Sequence, residues 1–253
     1  MVKMSTTDLF LLIGGGFFGG LIDSIVGGGG LITVPVFLLL LGPVPAAIGT
    51  NKIAGVSAQL AALVVYLKNS HVDLNRAWRL LLITSLGAVA GASFSRYLPT
   101  AFFKWFLIGV APVVLALVFT RKLWNKPIGH VKSPRLAVIG IFVAGFYDGI
   151  AGPGGGTLMF LVLFLLGGMP ATVAMGTGKL ANLGSASFSL STYALQGNVD
   201  WVRGATMAVP IALGAFLGAR YSSRHSGEDE ARKLARTGLL VVSVLLVTRW
   251  LVS

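Results

Sequence analysis

The sequence contains no cysteine and few charged side chains. Only 11% of the 253 residues are charged, and the chain has 8 acidic residues and 3 histidines. Without cysteine, disulfides, thiol catalysis and thiolate metal sites are excluded. The histidines fall in predicted loops, and the apolar segments contain no Ser-His-Asp arrangement or metal-ligand cluster. We therefore expect no cofactor, no metal site and no enzymatic activity.

Apolar residues and glycine are abundant instead. Hydrophobic residues make up 55% of the chain, glycine occurs 34 times, and the mean hydropathy is +0.84. Apolar runs able to cross roughly 30 Å of hydrocarbon recur from end to end. We predict an all-α polytopic membrane protein with one transmembrane domain, 1–253, in contact with the lipid bilayer. Its ten predicted apolar elements are 9–26, 30–42, 46–67, 77–95, 101–120, 136–151, 155–168, 172–195, 204–221 and 236–251.

Basic residues outnumber acidic ones by 20 to 8, but they lie mainly in short loops between apolar runs. This distribution indicates membrane topology, and we expect no nucleic-acid partner. If the crossings alternate, the loops near 68–79, 121–135 and 220–236 lie on one side and hold thirteen of the basic residues. The positive-inside rule predicts that this side is cytoplasmic.

The chain contains an internal duplication. Residues 20–45 match 145–170, and after a two-residue insertion 49–91 match 176–218. Each repeat has five elements, an odd number, so if all of them cross, the second copy enters from the opposite side. Repeat 1 covers about 8–121 and repeat 2 about 135–252, and a basic linker, 121–135, joins them. We therefore predict inverted-topology repeats, with 30–42 and 155–168 as glycine-broken or short helices at the repeat interface.

Four ionisable residues stand out within the apolar elements and form two repeat-related sets, Asp23 with Lys52 and Asp148 with Lys179. Charged groups at membrane depth usually face a cavity or a partner. Each aspartate stands four residues before a glycine run, 27–30 or 152–156, that begins a short helix. Glycine leaves the backbone unshielded, and a helix start presents N–H groups and a positive dipole end. The arrangement is typical of an anion site.

A second motif, G-T-x-K, occurs at 49–52 and 176–179. It adds a hydroxyl and an ammonium group near the start of a long helix, so we predict one anion site where the two halves meet. Asp23 and Asp148 are the predicted proton-coupling residues. The predicted substrate-binding residues are Gly27, Gly28, Gly29, Gly30, Thr50, Asn51, Lys52, Gly152, Gly154, Gly155, Gly156, Thr177 and Lys179.

Each of these features also has a structural interpretation. The two lysines could extend to the membrane interface, and the two aspartates could cap helices or pair with the lysines. Close helix packing could explain the glycine runs. Tyr66 and Tyr193 are interpreted as interfacial belt residues. Packing is the preferred explanation for the glycines in G-x-x-x-G spacing, which are Gly15/Gly19, Gly16/Gly20, Gly87/Gly91 and Gly214/Gly218.

The motifs G-x-x-D-S-I-V-G-G-G-G-L-I-x-V-P and G-T-N-K, with second copies F-Y-D-G-I-A-G-P-G-G-G and G-T-G-K, resemble those of the sulfite exporter TauE/SafE family. The resemblance covers nearly the whole chain. It implies a multi-pass prokaryotic inner-membrane transporter of small anions such as sulfite, sulfonates or related organic acids. It supports the same aspartate, glycine, threonine and lysine positions. Asn51 is replaced by Gly178 in the second copy, which predicts an asymmetric site.

The leading hypothesis is a secondary transporter that moves a small anion by alternating access, with protons as a candidate coupling ion. Two other functions fit the same residues. A passive anion channel would use the same donors, and a non-transporting assembly or scaffold protein would tolerate loss of the charged groups.

Overall fold

The computed structural model describes residues 4–42, 44–99, 102 and 133–224. Within these residues the regular secondary structure is entirely helical, which confirms the predicted all-α class. Apart from Phe102, the predicted elements 101–120 and 236–251 and linker residues 121–132 lie outside the described residues. This part of the chain holds eight helices, which are α1 Thr6–Val26, α2 Gly30–Leu41, α3 Val44–Lys68, α4 Leu74–Ser95, α5 Pro134–Ile150, α6 Gly155–Leu165, α7 Ala171–Leu195 and α8 Trp201–Arg224.

Side-chain caps determine where several helices begin. Ser5 and Asp8 form a reciprocal capping box at the start of α1. Asp73 accepts the backbone N–H of Arg76, and Asp200 accepts that of Arg203. Helices α4 and α8 therefore begin three residues before their predicted starts. Each aspartate accepts a free N–H group of the first turn, so the helix can begin directly after it.

Four of the described helices, α1, α3, α4 and α8, are long and apolar enough to cross a membrane, as judged by length and composition. The short elements are confirmed as short, since α2 has 12 residues and α6 has 11. At about 1.5 Å per residue, each is shorter than the hydrocarbon core of a bilayer. The full crossing of the membrane by every element, on which the inverted topology depends, stays a prediction.

The repeats interlock. Helix α1 packs against α8, and its repeat equivalent α5 packs against α4. Helix α3 likewise packs against α8, and α7 against α4, while α3 and α7 contact each other. Each repeat thus packs its fourth helix on the first and third helices of the other. These matching contacts are what a pseudo-twofold relation requires, whereas the inverted orientation in a membrane stays a prediction.

Glycines allow the cross-repeat helices to approach closely. A methyl group at Gly20 would overlap the carbonyl oxygen of Ile211, and one at Gly214 would overlap that of Phe17. Gly87 faces the Phe142 carbonyl in the equivalent α4–α5 contact. The packing interpretation of the G-x-x-x-G glycines is therefore confirmed at these contacts.

Candidate functional site

Among the described residues, four buried charged side chains form two ion pairs, and each pair links one repeat to the other. Lys52 Nζ lies 2.9 Å from Asp148 Oδ2, and Lys179 Nζ lies 2.6 Å from Asp23 Oδ2. Each lysine is only 2% exposed. The alternative in which the lysines extend to the membrane interface is therefore wrong. The local grouping of Asp23 with Lys52 does not describe the pairing either, because each lysine bonds the aspartate of the other repeat.

Each lysine binds the last turn of a helix as well as a carboxylate. Lys179 Nζ also donates to the main-chain carbonyl of Asp23, and Lys52 Nζ donates to that of Asp148, both at 2.5 Å. These carbonyls belong to the C-terminal turns of α1 and α5, where the helix dipole is negative. An ammonium group is stabilised there by the carboxylate, the carbonyl and the dipole together.

The carboxylates have further partners, and these differ between repeats. Asp23 Oδ1 accepts the N–H of Gly29, which precedes α2, and Asp23 Oδ2 accepts Gln59 Nε2 at 2.9 Å. Asp148 Oδ2 accepts the hydroxyl of Ser185 at 2.5 Å. The capping and pairing interpretations of Asp23 are thus both confirmed, because one carboxylate joins the end of α1, the start of α2 and Lys179.

The two glycine runs meet at the centre of the molecule. Gly27 has φ +82°, and a Cβ there would lie 2.6 Å from the carbonyl carbon of Gly156. A Cβ at Gly30 would lie 2.9 Å from the Cα of Pro153. Only glycine combines this left-handed backbone with so close an approach. The runs therefore reverse the chain and bring two helix starts together.

A cavity of about 40 Å³ lies between these elements. A water molecule needs roughly 10 to 15 Å³ by this measure, so the cavity has room for about three waters or a small ion. Both aspartates and one ammonium group line it directly. Its lining residues are Asp23, Gly27, Gly30, Asn51, Lys52, Gly55, Gln59, Asp148, Gly152, Gly156, Asn182 and Ala186.

The structure therefore brings together many, but not all, of the residues assigned from sequence. Those predicted residues that the structure describes but that do not line the cavity are Gly28, Gly29, Thr50, Gly154, Gly155, Thr177 and Lys179. Lys179 remains part of the site through its bond to Asp23. The role of all these residues in substrate binding stays a prediction.

The two threonines of the G-T-x-K motifs hold loops of the opposite repeat. Thr50 Oγ1 accepts the N–H of Asp200 at 2.9 Å, and Thr177 Oγ1 accepts that of Asp73 at 3.0 Å. Their hydroxyl oxygens thus anchor the residues that cap α8 and α4. The threonines therefore support the helices around the cavity and do not line it.

Gln59 and Asn182 line the cavity and were not assigned from the sequence. Gln59 follows Lys52 by seven residues, and Asn182 follows Lys179 by three. These spacings put each carboxamide on the same helix face as its lysine. This periodicity is the signal that could have identified them.

The interpretation of Tyr66 and Tyr193 as interfacial residues is wrong. Both side chains are fully buried. Tyr66 donates its hydroxyl hydrogen bond to the Ser24 carbonyl at 2.8 Å, and Tyr193 donates to the equivalent Gly149 carbonyl at 3.0 Å. They satisfy carbonyl groups in the last turns of α1 and α5, next to the ion pairs.

A multi-pass helical fold with paired repeats and a charged central cavity is the architecture of a membrane transporter. The model of the sulfite exporter TauE/SafE family matches residues 12–246, and the chain belongs to this family.

Several curated relatives carry transporter names. The chain is 34% identical to a probable membrane transporter protein of Haemophilus influenzae, over 87% of this chain and 85% of that protein. It is 32% identical to probable membrane transporter protein ORF9 of a Sinorhizobium species, over 88% and 84%. It is 31% identical to probable membrane transporter protein YfcA of Escherichia coli K12, over 88% and 81%. No solved structure matches the chain. The chain is thus a multi-pass membrane transporter, and the relatives' names agree with a function other than catalysis.

Proposed function

We propose that this protein is a secondary transporter that moves a small anion, such as sulfite, a sulfonate or a related organic anion, across a prokaryotic inner membrane by alternating access. The observation that carries this proposal is the reciprocal pair of buried Lys–Asp contacts beside the central cavity. The interlocked, pseudo-twofold packing of the repeats also supports it, because repeats of this kind move against each other around a central site in many transporters.

An entering anion competes with a carboxylate for an ammonium group. Lys52 lines the cavity and is held by Asp148, so an oxyanion can replace Asp148 Oδ2 as its partner. The N–H of Gly29 is already taken by Asp23 and that of Gly155 by the Gly152 carbonyl, which leaves less of the glycine backbone to hold the anion. Lysine charge and side-chain donors therefore provide most of the binding.

Charge balance at the site explains why protons would accompany the anion. Two lysines and two aspartates give this buried cluster no net formal charge. A monovalent anion adds one negative charge, and an uncompensated buried charge costs several kcal/mol. A proton taken up by the displaced carboxylate restores neutrality. The proposal is therefore one proton with each monovalent anion, carried by Asp148 and, in the equivalent position, Asp23.

The test is flux into proteoliposomes containing the purified protein. Sulfite, a sulfonate and a small carboxylate are each offered with and without a pH gradient, and potassium and valinomycin clamp the membrane potential. We expect saturable uptake with counterflow, driven by an inward proton gradient. For a monovalent sulfonate, the flux should not depend on the membrane potential.

Each failure has its own meaning. Absence of flux for all three anions would refute anion transport, and flux without saturation or counterflow would indicate a channel. Flux that ignores the pH gradient would refute proton coupling. Asp148→Asn should abolish the pH dependence, whereas Asp8→Asn, the same change at the exposed start of α1, should retain it. A non-transporting scaffold would show no flux in the wild-type protein, and its role in the cell would survive both Asp148→Asn and Lys52→Ala.

A further inference from the structure

The charged network is symmetric, but the uncharged polar lining of the cavity is not. Three carboxamides contribute to the lining, and each has a small residue at the equivalent position of the other repeat. Asn51 corresponds to Gly178, Gln59 to Ala186, and Asn182 to Gly55. The charged residues are therefore present in both repeats, whereas each carboxamide of the lining is present in only one repeat.

Hydrogen bonds fix the orientation of two of these carboxamides. Asn51 Oδ1 accepts the hydroxyl of Thr33 at 2.5 Å, so its Nδ2 is left as a donor near Gly152. Gln59 Nε2 donates to Asp23 Oδ2, and the reverse orientation would set two acceptor oxygens against each other. The oxygen of Gln59 therefore faces away from Asp23.

Gln59 Oε1 is a buried hydrogen-bond acceptor, and Gln59 lines the cavity. Gln59 is 2% exposed, and its Oε1 has no hydrogen-bond partner among the described residues. A simple oxyanion offers only acceptors and cannot satisfy it. Gln59 and Lys52 both line the cavity, so a ligand that pairs with both carries an acidic group for the lysine and a hydrogen-bond donor for Gln59.

We propose that Gln59 determines specificity by accepting a hydrogen bond from the transported anion, so that the site selects anions that also carry a hydroxyl, amino or other N–H or O–H group. This inference rests on the proposed anion transport and narrows its substrate class. An anion without a donor leaves the buried oxygen unpaired, and such a loss typically lowers affinity by roughly tenfold.

The experiment compares two sulfonates that differ by one hydroxyl. Isethionate (2-hydroxyethanesulfonate) and ethanesulfonate have the same charge, and both stay ionised, so neither leaks across the vesicle membrane as a neutral acid. Uptake of each is measured in proteoliposomes as kcat/KM. The wild-type protein should prefer isethionate by about tenfold, and Gln59→Met should bring the ratio close to one.

A matched control separates this effect from general damage. Gln196 Oε1 is also buried without a partner among the described residues, but Gln196 does not line the cavity and binds the Ala92 carbonyl. Gln196→Met should keep the wild-type ratio. Gln59→Met also removes the hydrogen bond to Asp23 and could slow transport of both sulfonates equally. Such a uniform loss cancels, because the ratio of the two fluxes is taken within one variant.

The outcomes are distinct. Anion flux with an unchanged isethionate preference in Gln59→Met, or with no preference in the wild-type protein, overturns this inference and leaves anion transport standing. Absence of flux for these sulfonates and for the anions of the first test overturns the proposed function and this inference together.

Discussion

The cross-repeat pairing of charges can be tested by asking which aspartate rescues the loss of a lysine. Lys52→Met removes an ammonium group whose partner, Asp148, has a side chain only 7% exposed. Breaking a buried ion pair from one side typically costs about 3 to 5 kcal/mol, because the remaining charge is left unpaired. For a protein of this size, that corresponds to a drop of roughly 10 °C in the apparent Tm.

The second substitution removes the remaining charge. In Lys52→Met/Asp148→Asn neither charge is left, and replacing a buried pair by neutral groups is often close to neutral in stability. Most of the lost Tm should therefore return. Lys52→Met/Asp23→Asn should be less stable than Lys52→Met alone, since it leaves both Asp148 and Lys179 without their partners.

The variants are purified in detergent and heated, and the Tm is measured from the fraction of protein that remains monodisperse at each temperature. A coupling free energy between Lys52 and Asp148, obtained from the double-mutant cycle, quantifies the pair. Rescue by Asp23→Asn would mean that the pairs form within each repeat, and the structural reasoning would be wrong. Equal Tm values in all variants would show that the pairs contribute nothing to stability.

Three further predictions concern the frame around the site. Gly20→Ala should prevent tight α1–α8 packing and lower the yield of folded protein. Gly14→Ala should be tolerated, because a Cβ there meets nothing within 4 Å. Equal yields of folded protein for both variants in size-exclusion chromatography would contradict this. Thr50→Val should lower the Tm by a few degrees by removing an acceptor and leave the KM for the anion unchanged; a severalfold rise in KM would instead make Thr50 a ligand. Burial raises the pKa of Asp200, but hydrogen bonds from Arg203 and its charge lower it more, so the net pKa lies below its ordinary value. The Asp200 carboxylate therefore stabilises the fold above about pH 4, and this contribution disappears as the pH falls through the lowered pKa. Between about pH 6 and pH 3, Asp200→Asn should lose less Tm than the wild-type protein.

The helical class and the short broken helices could be predicted because they depend on local sequence. Gly27 and Gly152 both adopt positive φ and end or interrupt helices where the glycine runs predicted a break. The close-packing role of Gly20 and Gly214 also follows from spacing alone, since residues four apart share a helix face. Helices α4 and α8 begin a few residues before their predicted starts, because charged residues favour a loop in the sequence whereas Asp73 and Asp200 cap helices.

The tyrosines show where this local reasoning fails. A tyrosine near the end of an apolar helix is typical of the membrane interface, but the sequence does not show whether another helix covers it. In the structure Tyr66 and Tyr193 are enclosed by the packed helices and donate to carbonyl groups of α1 and α5. Their burial is a property of the assembled repeats.

The duplication, the glycine-rich membrane character and the aspartate and lysine retained in each half can all be read from the sequence alone. These properties depend on composition, periodicity and repetition, which are all readable along the chain. Folding brings Lys52 to Asp148, 96 residues away, and leaves the oxygen of the cavity-lining Gln59 without a partner among the described residues. The physical reason is that the two repeats interlock through α3, α7 and the crossed α1–α8 and α4–α5 contacts. Which buried charges become neighbours is therefore set by packing between distant segments.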